Sequence, residues 1–107
     1  MAESRVEHPI DPDVGEILAE LESYKATHPR ARIASYRQNS GSIRIRIIDP
    51  DFRKLDRAQR HDQIWEYLDR LPEDTITQIT VLLLLTPGEV KASIGNLDFE
   101  NPVPTSL

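Results

Sequence analysis

The sequence predicts an α+β fold, a small three-stranded mixed sheet with helices on one face, in the order α-β-β-α-(α)-β-α. Three observations carry this. Val14, Ile17, Leu18, Leu21 and Tyr24 recur at helical spacing. Ser42–Ile48 alternates strictly, with Ile43, Ile45 and Ile47 on one side and Arg44 and Arg46 on the other. Ile79–Leu85 is apolar on both faces, the pattern of a central strand flanked by neighbours. A hairpin followed by a helical crossover to a third strand gives a mixed sheet. With 107 residues the chain is read as one domain over residues 11–95, between a disordered polar leader, 1–10, and an irregular tail, 96–107.

Each element has its own start and stop. The first helix begins at Asp11-Pro12, an N-cap with proline at the first helical position, or at Asp13, where Glu16 completes a capping box. His28-Pro29 ends it, because the residue before a proline is pushed out of the helical region. Residues 32–37 form a short strand, and residues 38–42 supply hairpin chemistry around Gly41. After the turn Asp49-Pro50-Asp51, Asp56 caps a second helix with Gln59 placed for a capping box. Ala58, His61, Ile64, Trp65, Leu68 and Leu71 make its apolar stripe, and Pro72 stops it. Residues 72–78 form a short helical turn or a loop before the third strand. Thr86-Pro87 then opens a last short helix over residues 90–94.

Composition excludes several functional classes. There is no cysteine, hence no disulfide, thiol nucleophile or thiolate metal site within the chain. The longest apolar run, residues 81–85, is far short of a membrane span, and no signal peptide is visible, so the expectation is a cytoplasmic protein without a membrane partner. The net charge of −5 is segregated: residues 30–60 carry +6, residues 1–29 carry −5 and residues 61–107 carry −6. The basic middle either pairs with the acidic flanks or forms an anion-attracting patch.

No catalytic constellation stands out, and the chain is read as a non-enzyme. The carboxylates Glu73 and Asp74 have no apolar surroundings to raise a pKa, and serines and threonines lack a neighbouring base. Asp49 and Asp51 read as turn-forming residues, and His8 and His28 as solvated. His61 stands out at the edge of an apolar stripe, either half-buried against Trp65 or exposed as a ligand on a partner surface. Arg44 and Arg46, with Arg32 and Arg37, are candidates for nucleic-acid binding through an arginine-rich sheet face. Leu82 and Leu84, placed on that same face, would need a cover, the tail or a second subunit of a homodimer.

Asp51-Phe52, Asp56, Arg60-His61-x-x-Ile64-Trp65 and, about 20 residues later, Thr86-Pro87-x-Glu89 together resemble the BolA-like family. That family places a phenylalanine before a helix with Arg-His-x-x-Val-Tyr and ends its last strand in Thr-Pro-x-Glu. The motifs span residues 43–90, and the element order over residues 14–94 is similar to the family's KH-like arrangement. The family's Gly-Lys-Ser before the helix is replaced by Lys54-Leu55-Asp56, and residues 38–42 hold no Cys or His to match its second metal ligand. The resemblance implies a small non-catalytic regulator, a partner of a monothiol glutaredoxin in iron–sulfur handling. It implies no intrinsic cofactor, a cluster shared only with the partner, His61 as this chain's metal ligand and Arg60 beside it on the partner-facing helix. The basic side chains around that histidine at the start of a capped helix extend the expected partner surface to Arg57, Arg60 and His61.

Overall fold

The computed structural model describes residues 11–93, and the expected leader and tail lie outside them. Helix α1 (Pro12–Thr27) is followed by strands β1 (Arg32–Asn39) and β2 (Ser42–Ile48), a 3-10 turn (Pro50–Lys54), helix α2 (Arg57–Leu68), the short helix α3 (Glu73–Ile76), strand β3 (Ile79–Leu85) and a second 3-10 turn (Pro87–Glu89). The architecture is the expected α+β layer with a three-stranded mixed sheet.

Helix α1 starts at Asp11, whose carboxylate accepts the N–H groups of Asp13 (3.0 Å) and Val14 (3.1 Å). Asp13 does not cap, because its side chain turns instead to Arg37, Thr75 and Gln78. Helix α2 has the capping box expected of Asp56 and Gln59, with both reciprocal bonds formed at 2.8 and 2.9 Å. Its buried stripe differs from the expected one: Arg60, Ile64 and Leu68 face inward, whereas Ala58 and His61 are exposed. The last helix is also different. Hydrogen bonds of the tighter i to i+3 kind run from Glu89 to Ser93, so the described part of this segment is a 3-10 turn and following turns.

The strand order is β1-β2-β3, with β1 antiparallel to β2 and β2 parallel to β3. The centre of the sheet is therefore β2, and β3, expected in the middle, is an edge strand. Its leucines are apolar for a different reason: they cover the two faces of the sheet at its margin. The register pairs Ile45 with Leu82 and Ile47 with Leu84, so these leucines join the isoleucines against the helices. Arg44 and Arg46 share the opposite face with Val81 and Leu83, which corrects the expected placement of Leu82 and Leu84 there.

One core lies between the isoleucine face and the helices. Ile43, Ile45 and Ile47 are fully buried against Ile17, Leu21 and Tyr24 of α1, Ile64 and Leu68 of α2, and Phe52 of the 3-10 turn. Burying each such side chain stabilises the fold by about 1.5–3 kcal/mol. Phe52 thereby anchors the segment that leads into α2, which sets the position of everything on that helix.

Candidate functional site

A groove of about 500 Å³ runs between α2 and β3. Leu82, Leu83, Leu84 and Leu85 form one wall, and Arg57, Arg60 and His61 of α2 form the other. Two conditions create it. The outer margin of β3 carries no further strand among the described residues, and the capping box holds the first turn of α2 beside it.

The three α2 residues expected to act together have different roles. Arg57 and His61 are exposed, so the imidazole is on the surface and not packed into the core against Trp65. Arg60 is only 7% exposed and is not a surface contact. Its guanidinium donates to the carbonyls of Phe52 (3.1 Å), Leu55 (3.1 Å) and Leu84 (3.0 Å). It also forms a two-pronged ion pair with Glu89, at 2.8 and 3.2 Å. Arg60 thus ties the 3-10 turn, β3 and the segment after β3 to α2 from within the groove wall. The guanidinium of Arg60 and the N–H of Thr86 hold the Glu89 carboxyl well down, to about 2.

The arginines proposed for nucleic acid are not one surface. Arg37 opposes Ile43 and lies on the helix side of the sheet. There it pairs with Asp11 (2.5 Å) and Asp13 (3.2 Å) and donates to Gln78 (2.9 Å). The hydrogen bond with Arg37 lowers the Asp11 pKa below the ordinary carboxylate range, and the same bond raises that of Arg37. Arg32, Arg44 and Arg46 occupy the other face, where Arg44 reaches the Tyr36 hydroxyl at 3.4 Å. Arg44 and Arg46 are half-buried, not the exposed row that alternation predicts.

A second polar cluster lies where α1 ends. His28 is not simply solvated: it stacks on Tyr24, with centroids 4.0 Å apart and planes 6° from parallel. The Tyr24 hydroxyl donates to the fully buried Asp49 at 2.5 Å, and Asp49 also accepts the N–H of Asp51 at 2.9 Å, the turn expected of these two aspartates. Burial and the Asp49 carboxylate push the Tyr24 hydroxyl far above the usual phenol range, so it remains a donor.

No ligand set for a cluster is complete around His61 among the described residues. Among the described residues, three-donor groups of His, Cys, Asp or Glu include none around His61, so its imidazole supplies one ligand at most. The pairing of Glu89 with Arg60 and the approach of the leucine strand to α2 escape a reading of the sequence alone, because only the crossover geometry brings β3 beside α2. Compared with protein-family models, curated proteins and solved structures, the chain matches none of them.

Proposed function

We propose that the chain is a non-catalytic, BolA-like interaction module that docks a protein partner on the groove between α2 and β3, with Arg57 and His61 at its rim. The observation that carries this reading is the exposed His61 beside a groove with one wall of leucines and one wall of polar side chains. An imidazole at a rim can ligate a metal centre that a partner brings, while leucines supply contact area without demanding hydrogen bonds. The partner class implied by the resemblance is a monothiol glutaredoxin, whose thiolate and bound glutathione would supply the cluster ligands this cysteine-free chain lacks.

Arg60, nearly buried in that wall, braces it through three carbonyls and Glu89. Mixing the protein with a cluster-loaded monothiol glutaredoxin tests the reading. Co-elution on gel filtration and a changed visible spectrum are expected, with the spectral change lost in His61→Ala and co-elution weakened in Arg57→Glu. Separate elution with an unchanged spectrum overturns it.

A further inference from the structure

We propose that His28, Asp49 and Asp51 form a binding site for a single divalent transition-metal ion of the zinc type, sharing no residue with the groove. One donor atom from each of the three residues lies within 4.8 Å of the others. The donors come from two segments: His28 is the C-cap of α1, and Asp49 and Asp51 are the N-cap and a first-turn residue of the 3-10 turn that follows β2.

The arrangement of each donor suits coordination. His28 Nδ1 lies 3.0 Å from the Thr27 hydroxyl and 3.1 Å from the Tyr24 carbonyl oxygen; with that hydroxyl donating to the same carbonyl (3.2 Å), both oxygens accept from a proton on Nδ1, and the Nε2 lone pair is left for a metal. This is the outer-sphere bond that fixes the tautomer of metal-bound imidazoles. Stacking on Tyr24 holds the ring plane. Nε2 has one neighbour, the Gln63 amide nitrogen at 3.5 Å, a contact weak enough for a metal to replace. Asp49 is oriented by Tyr24 and by the Asp51 N–H. Asp51, whose side chain is 43% exposed, pairs with Arg30 through Oδ1 and keeps Oδ2 available.

The charge balance gives a separate argument. Asp49 is 0% exposed, yet its carboxylate is met only by a phenol and a backbone amide, with no cation against it among the described residues. A buried carboxylate without a countercharge is costly, and a divalent ion between Asp49 and Asp51 would supply that charge. One imidazole and two carboxylates, with room for water on the exposed side, match zinc-like ions better than calcium, which takes six or more oxygens. Coordination draws the donors together from the present spacing, and the exposed Asp51 side chain is free to make that movement.

The full chain, first stripped with a chelator, would be titrated with Zn2+ by calorimetry and with Co2+ by visible spectroscopy. Saturable binding of one ion with d–d bands is expected, weakened at least about tenfold in His28→Gln and in Asp51→Asn and unchanged in Asp74→Asn, an exposed carboxylate on α3. In the unmodified protein, Zn2+ should also shift the His28 Nε2 nitrogen resonance, a readout independent of whether a variant folds. Absence of saturable binding at millimolar Zn2+, or binding retained at full strength in both His28→Gln and Asp51→Asn, overturns the proposal.

Discussion

Arg57 and Arg60 lie three positions apart on one helix, and nothing in their chemistry distinguishes them in the sequence. Their environments do: one is in water, and the other satisfies three carbonyls and a carboxylate inside the protein. Arg60→Met strands those acceptors and should destabilise the fold by about 3 kcal/mol or more, whereas Arg57→Ala should stay within about 0.5 kcal/mol. Urea unfolding of the two variants checks this. Glu89 gives the pair a pH signature. Its folded pKa, about 2, lies below the ordinary 4.5, so its contribution is present above 4.5 and is lost as pH falls through about 2. The stability advantage of the native protein over Glu89→Gln should therefore be constant near neutrality and shrink across that acid window, as a pH series of unfolding curves would show. The Thr-Pro-x-Glu motif could be read in the sequence, but its glutamate's partner could not, because pairing depends on a crossover that joins residues far apart in the chain.

At the scale of elements, local chemistry was the most legible part. Helix caps act within a few residues, so Asp11 and Asp56 could be identified from their immediate neighbours. Asp56→Ala removes the bond to the Gln59 N–H and should cost about 1 kcal/mol, measurable by thermal unfolding, without disturbing the Arg60 ties. The alternation of β2 was equally readable, since a period of two has one meaning for a half-buried strand. The position of β3 was not. A run of leucines fits a central strand, and it fits an edge strand whose margin faces a groove just as well. Strand order is set by how the α2–α3 crossover packs, which no local pattern encodes. The stripe of α2 misled for a related reason: Arg60 is polar but buried, and Ala58 is apolar but exposed.

Across the whole molecule, much of the charge segregation resolves into pairing. Arg37 of the basic middle meets Asp11 and Asp13 from the acidic start, and Arg60 meets Glu89 from the acidic end. These contacts tie segments remote in the chain to one core, and among the described residues no helix is long and apolar enough to cross a membrane. Because the helices and sheet share that core, unfolding should be a single transition in which Trp65 fluorescence and far-ultraviolet dichroism coincide. Separated curves would reveal a subdomain the packing does not contain. The parallel pairing of β2 with β3 also has a consequence during synthesis. On the ribosome, the isoleucine strand emerges before the residues of α2 and α3, and its partner leucines follow only after them. At typical translation rates the nascent hairpin waits on the order of seconds with one hydrogen-bonding side vacant and its greasy row covered only by the first helix. The last-made of the described strands, β3, completes this sheet, so a chaperone that shields extended apolar segments would find its client in the unfinished polypeptide and lose it once that strand is in place.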